Sequence, residues 1–339
     1  RSGGENIFDV SLHGFPYGMV KTCRKYWTKE IANSMEQVEK VVFKNPDFSL
    51  ETNFTKEDYI RILTDHFKVD HGKVISFFDH LAAMNFYDNS TQTNGEMFEE
   101  YFPGRSDVVR FLLEPIVYAN GSTLEDPAIT YGIVFSNFIS KGVYIYRGGT
   151  DEMIMRMRDN LVETGVDIKL HSFVEKIEVE GGAVRGVRLA DGSFIETKSV
   201  VSNGNLHSTI FKMVEKSKWS PDYIEKAKKV RLNSSSCQVF MGVKPGEMIP
   251  YSGELIFYSE DKDFKTDLIL SPKTNSQTFS LYYPDMRPSM PNHHAIVSSL
   301  NARYEDWEGL SDIEYQRRKE EMTEKALSCV DKVIPGTRA

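Results

Sequence analysis

The chain has 339 residues, with 49 acidic against 41 basic side chains and a formal net charge of −8, a balance that leaves no electrostatic footprint for nucleic acid. Hydrophobic residues make up 40%, ordinary for a globular chain long enough to bury a large core in two domains. The cysteines Cys23, Cys237 and Cys329 lie far apart, make neither a disulfide framework nor a metal pattern, and read as reduced buried thiols of a cytosolic protein.

The chain opens Arg1-Ser2-Gly3-Gly4, with no secretory signal and no initiator Met, so a truncated start is expected. The Asn-x-Ser/Thr matches at Asn53, Asn89, Asn120 and Asn233 read as chance. Residues 7–13 alternate weakly and predict a strand. Ile31, Met35, Val38, Val41 and Val42 carry helical spacing. Thr55-Lys56-Glu57-Asp58 opens a helix with Tyr59, Ile62, Leu63 and Phe67 on its apolar face, and 71–84 predicts another. His66, His71 and His80 sit near these faces at a spacing that holds no metal, and read as surface or capping residues.

Residues 95–140 are helical in tone and richly apolar. The run 111–118 ends at the turn Ala119-Asn120-Gly121-Ser122, and a helix over 128–139 follows. Thr130, Ser136 and Asn137 interrupt it, short of the about 18 apolar residues a membrane span needs. A buried helix lining a cavity is the expectation. Residues 143–146 predict a strand leading into Arg147-Gly148-Gly149. Thr150 is placed to cap a helix whose Met153, Ile154, Met157, Leu161 and Val162 form one stripe. Val166, Ile168 and Leu170 alternate like a strand. Strands over 173–180 and 185–189 flank a Gly181-Gly182 turn, Asp191-Gly192 marks a second hairpin, and Val200-Val201 reads as a buried strand entering the turn Ser202-Asn203-Gly204. Helices over 208–214 and 221–230 come next. Strands over 237–243, 254–258, 268–270, 278–282 and 294–300 predict a mostly antiparallel sheet, closed by an amphipathic helix over 312–333.

The order and spacing of Arg147-Gly148-Gly149, Val174-Glu175-Lys176-Ile177, Val187 to Gly192 and Val200-Val201-Ser202-Asn203 resemble the flavin-dependent phytoene desaturase and carotenoid isomerase family of the amine oxidase superfamily. The resemblance implies an α/β (α+β) fold. A partial FAD/NAD(P)-binding Rossmann-like domain would take 1–44 and 143–210, a helical insert facing substrate and membrane 45–142, and an antiparallel-sheet substrate domain 211–339. That family carries a Gly-x-Gly-x-x-Gly turn near its start and a Gly-Asp motif near its end. Neither is present here, so the chain is expected to be a fragment lacking both terminal flavin motifs.

The resemblance further implies FAD as cofactor, a hydrophobic polyene or isoprenoid substrate, and a cytoplasmic or peripheral-membrane location. It places Val174 against the adenine and Ser202, Asn203, Gly204, Gly148 and Gly149 near the cofactor. Hydride removal from an allylic C–H leaves a cation-like polyene, which aromatic faces steady. Tyr118, Tyr131, Phe135 and Tyr144 are the candidates for that wall. Arg147 and Glu114 are the candidate catalytic groups. Glu114 is the one carboxylate inside the apolar run 111–118, where burial would raise its pKa. No metal site is expected. The alternatives are a retinoid saturase-like reductase, a prenyl-binding protein of the GDP-dissociation inhibitor type, and an amine oxidase.

Overall fold

The computed structural model describes residues 7–9, 14–85, 87, 91–139, 141–230, 234–244, 246–271, 273–287 and 293–337, the side chains of 137–139 excepted. Two compact units divide it, residues 1–160 with 234–339, and residues 161–233. In chain order the strands are β1 (Phe15–Pro16), β2 (Met35–Gln37), β3 (Val41–Lys44), β4 (Ser49–Thr52), β5 (Val143–Tyr146), β6 (Val174–Glu180), β7 (Ala183–Leu189), β8 (Phe194–Glu196), β9 (Ser235–Gly242), β10 (Leu255–Ser259), β11 (Ser276–Tyr282) and β12 (Ala295–Ala302). The helices are α1 (Tyr17–Tyr26), α2 (Lys29–Asn33), α3 (Lys56–Asp65), α4 (His71–Ala83), α5 (Asn94–Tyr101), α6 (Ser106–Asn120), α7 (Ala128–Ile139), α8 (Thr150–Glu163), α9 (Leu206–Ser208), α10 (Pro221–Lys228), α11 (Thr266–Ile269) and α12 (Asp312–Val333).

The first unit is built on a six-stranded mixed sheet in the order β4-β3-β10-β11-β12-β9. Every pairing is antiparallel except β3 with β10. Alternation along each strand gives the sheet two faces. On one, Ile256, Tyr258, Phe279, Leu281 and Ile296 pack against Cys329, Val330 and Ile334 of α12 and its exit. On the other, Val41, Phe43 and Phe257 meet the aromatic side chains of α3, α4, α6 and α7. Phe43 is fully buried, stacked on Phe257 at 4.9 Å and edge-on to Phe111 at 5.2 Å. A smaller sheet, β1-β5-β2, packs on α1, α2 and the start of α8 through Phe15, Cys23, Ile31, Met35, Tyr146 and Met153.

The second unit carries the meander β6-β7-β8. Gly181 and Gly182 both take positive φ, 57° and 78°, as the tight turn between β6 and β7 requires. Asp191 accepts from the Ser193 N–H at 2.9 Å and shapes the next turn. A small core of Ile210, Ile224, Ala227 and Trp219 joins the helical segments that follow.

Several expectations are corrected. The helical spacing over 31–42 belongs to a one-turn helix followed by β2 and β3. Val41 and Phe43 bury on one face and Val42 turns to the other, so a period of two governs there. Leu268–Leu270 lies on and beside the helical turn α11, because three apolar residues do not select a period. Val166, Ile168 and Leu170 form no strand and are 45%, 38% and 77% exposed. Val200-Val201 is not a buried strand; Val201 is 98% exposed and pairs with none of the described strands. On α8, Met153 is buried while Ile154 and Val162 are exposed, so the stripe is narrower than predicted. Of the strand expected over 7–13, residues 7–9 carry no regular secondary structure and 10–13 lie outside the described residues. The expected border at residue 44 runs through the hairpin β3–β4, which belongs to the large sheet.

Phe43→Ala removes the ring on which Phe48, Phe54, Phe111 and Phe257 converge. A loss of about 3–5 kcal/mol in unfolding free energy is expected, measurable by chemical denaturation.

Candidate functional site

Between the six-stranded sheet and the helices lies a cavity of about 260 Å³. Helix α6 shapes one side of it with Pro115, Ile116, Tyr118 and Ala119. Pro115 sits inside the helix and removes the N–H that would bond the Phe111 carbonyl. Tyr59, Phe135 and Phe54 complete the helical side, and Leu255, Phe257, Thr278, Ser280, Ser299 and Gln238 form the sheet side. Phe54 holds φ +57°, a left-handed conformation rare for a bulky residue. Its N–H donates to Thr52 Oγ1 at 3.1 Å, and the flanking Asn53 N–H donates to Asp58 Oδ2. This turn presses the Phe54 ring between Tyr59 and Phe257.

Of the four aromatic residues expected to wall a substrate, Tyr118 and Phe135 line this cavity. Tyr131 is fully buried behind Phe135, its hydroxyl donating to the Leu112 carbonyl at 3.4 Å, and Tyr144 of the smaller sheet packs tilted against Tyr17. Neither borders the cavity. Phe54 and Phe257 do, and nothing in their local sequence distinguished them from other core residues.

Glu114 lies one helical turn before Tyr118 and is 1% exposed. Its Oε2 accepts from Arg110 Nε at 3.3 Å, and its Oε1 has no partner. Burial pushes its pKa up to about 7 against the opposing pull of Arg110. Arg110 is itself buried and donates to Asp47 Oδ2 and to the Asp261 carbonyl, both at 2.9 Å. The Tyr118 hydroxyl is pushed well above its usual range by burial and then by the charge of Glu114. Glu114 does not border the cavity, so it reaches that space only through Tyr118.

The Arg147-Gly148-Gly149 turn is held differently from the expectation. Arg147 is half exposed and pairs with Glu36 at 2.9 Å. The anchoring guanidinium is that of Arg287, 7% exposed, which pairs with Asp9 and Asp151 at 2.8 Å each and donates to the Gly148 carbonyl at 3.3 Å. A Cβ on Gly149, at φ +91°, would come within 2.2 Å of that guanidinium. Thr150 does not cap α8 with its own side chain; the Asp9 carboxylate accepts from its N–H at 2.7 Å and from its hydroxyl. Asp9, Gly149, Thr150 and Arg287 border a small cavity of about 30 Å³ that shares Val143, Leu255 and Ser280 with the larger one.

In the second unit, Val174 opens β6, an edge strand with a register shift between Val174 and Lys176. The outer side of β6 pairs with no other described strand, so its main-chain donors and acceptors face outward. Ser202 Oγ accepts from the Gly204 N–H at 3.3 Å and shares a hydrogen bond with Thr209, and the turn 202–204 is exposed.

A family description, flavin containing amine oxidoreductase, matches residues 24–335. The chain belongs to this family. Among curated relatives, a chloroplastic prolycopene isomerase of Arabidopsis thaliana is 27% identical over 231 residues, 66% of this chain and 37% of its own length. A zeta-carotene-forming phytoene desaturase of Myxococcus xanthus is 24% identical over 181 residues, 49% of this chain and 34% of its own length. This flavin amine oxidoreductase chain therefore spans less than two fifths of either relative. The crystal structure of an oxidoreductase from Methanosarcina mazei superposes on 96% of it, and on 73% of that chain, with a TM-score of 0.62 at 12% identity, which supports the same fold. Membership implies a flavin. The outward main chain of β6 offers donors and acceptors to such a group. No helix among the described residues is long and apolar enough to cross a membrane.

Two measurements test the buried charges. Arg287→Met strands the Asp9 carboxylate and is expected to cost about 3–5 kcal/mol, most of it recovered in the Asp9→Asn/Arg287→Met double variant. Glu114 binds its proton more tightly in the folded chain than in the unfolded one, where a glutamate titrates near its ordinary 4.5. Its contribution is therefore present below about pH 4.5 and is lost, at about 1.4 kcal/mol per pH unit, as pH rises toward about 7. Stability of Glu114→Gln measured against the parent from pH 4 to 8 should lack that slope.

Proposed function

We propose that the protein is an FAD-dependent oxidoreductase of the phytoene desaturase and carotenoid isomerase type, acting on a polyene or another isoprenoid lipid. The observation that carries this reading is the cavity, whose helical side presents the faces of Phe54, Tyr59, Tyr118 and Phe135. Curated relatives named for prolycopene and phytoene agree with it. A cavity of about 260 Å³ takes a segment of such a chain, the part that reacts.

When bound, FAD supplies a two-electron hydride acceptor or donor. The aromatic faces hold the polyene in register and steady positive charge that develops along it. Pro115 and Ile116 exclude water from the same surface. Glu114 holds or releases a proton one turn behind Tyr118, setting the charge near the wall without meeting substrate. Val174 offers main-chain groups to the adenine, with Asn203 in the neighbouring turn of the same unit as a further contact. Gly148 and Gly149 belong to the cofactor-facing turn. Arg147, already paired with Glu36, has the weakest claim to a chemical part. In domain terms, the helices of 45–142 and the six-stranded sheet enclose the substrate.

The protein purified without added cofactor, or after incubation with excess FAD, should show flavin absorbance bands that bleach on reduction. A conjugated polyene should then change the rate of bleaching or of its reversal. Protein that stays colourless with excess FAD would sink the reading.

A further inference from the structure

The cavity has a second property that a site for a pure hydrocarbon does not call for. Following the register across the sheet, Phe43 pairs with Phe257, Phe257 with Thr278, Thr278 with Ser299 and Ser299 with Gln238. Residues directly opposite on neighbouring strands share a face. One row therefore runs from phenyl rings on β3 and β10 to hydroxyls and an amide on β11, β12 and β9. The next row adds one more hydroxyl, Ser280, between Leu255 and Val297. The helices cover the apolar half, and the polar half borders the cavity.

Thr278 and Ser280 are 7% and 6% exposed. Both border the cavity, and neither side chain hydrogen-bonds a described residue. Their oxygens open onto the cavity, so a ligand that fills it meets two hydroxyls able to donate and accept. The Tyr118 hydroxyl on α6 is buried beside Ser276 of the same strand. No Lys, Arg or His is among the described residues that line the cavity, nor any Asp or Glu.

Resting on the proposed lipid oxidoreductase, we infer that its substrate carries a neutral oxygen function, a hydroxyl or carbonyl, that hydrogen-bonds Thr278 and Ser280 while the unsaturated chain lies against Tyr118, Phe135 and Phe257. A carboxylate or phosphate finds no countercharge in this wall and is disfavoured there. A hydrocarbon leaves both hydroxyls unpaired.

A matched series of fluorescent tetraenes tests this: cis-parinaric acid, the corresponding alcohol, and the corresponding octadecatetraene. Each is titrated into the protein and into its Thr278→Val/Ser280→Ala variant, with the folding of the variant checked by circular dichroism. Thr→Val keeps the shape of the side chain and removes only its hydroxyl. Affinity for the alcohol is expected to fall about tenfold in the variant, the share of one or two net hydrogen bonds. Affinity for the hydrocarbon should not fall, because the variant removes the two hydroxyls that a hydrocarbon leaves unpaired. The acid at neutral pH should bind the parent more weakly than the alcohol does. Equal binding of the alcohol by parent and variant, or a preference for the acid, overturns the inference and leaves the polyene cavity standing. Failure of all three tetraenes to bind overturns the polyene cavity and this inference together.

Discussion

A β-strand turns successive side chains to opposite faces, and β11 must satisfy different surroundings on each. Phe279 and Leu281 join the core under α12, while Thr278 and Ser280 face the cavity from the alternate positions. Stability of the sheet and chemistry of the cavity are thus written in alternating letters of one seven-residue strand. Register is strongly specified as a result, since a slip by one residue would bury two hydroxyls against α12 and turn a phenyl ring toward the cavity.

Two buried arginines fix the elements around that sheet. Arg287 joins Asp9, the Gly148 carbonyl and Asp151, and so fixes the entry of α8 against β11 and its exit. Arg110 joins Asp47, Glu114 and the Asp261 carbonyl, tying α6 to the loops after β3 and β10. A planar fork of five donors suits this work better than a lysine would, because it bonds several acceptors in fixed directions at once.

Where the chain was legible, local signals were enough. The amphipathic pattern of α12, the Gly-Gly and Asp-Gly turns around β7, and the apolar runs of α6 and α7 appear as read. Glu114 stood out as a lone carboxylate in an apolar run, and Tyr118 and Phe135 stood out by lying in such runs. The remainder depended on partners distant in sequence. Asp9 and Arg287 lie 278 positions apart, and neither neighbourhood hints at the other. The serines and threonines of β11 and β12 read as ordinary strand residues until their register with Phe257 put them on one wall. Phe54 carries its information in a left-handed backbone that no composition reveals. Short apolar groups at 166–170, 200–201 and 268–270 misled because three or four residues fit more than one period.

The parallel contact between β3 and β10 carries a consequence for how this chain comes to be. The Lys40 N–H beside it donates to the side chain of Glu254, 214 positions later. The hairpin β3–β4 leaves a ribosome well before β10, and the edge of β3 that β10 will cover stays open until that later strand is made. At roughly 5–20 residues per second, that wait lasts on the order of ten to forty seconds. Throughout it Val41 and Phe43 lie on an open strand edge, the kind of surface that recruits unrelated chains. The helices of 56–139 emerge in the interval, and their aromatic side chains are the first available cover. The same helices that enclose the cavity in the finished protein thus cover the apolar face of β3, while its open edge waits for β10.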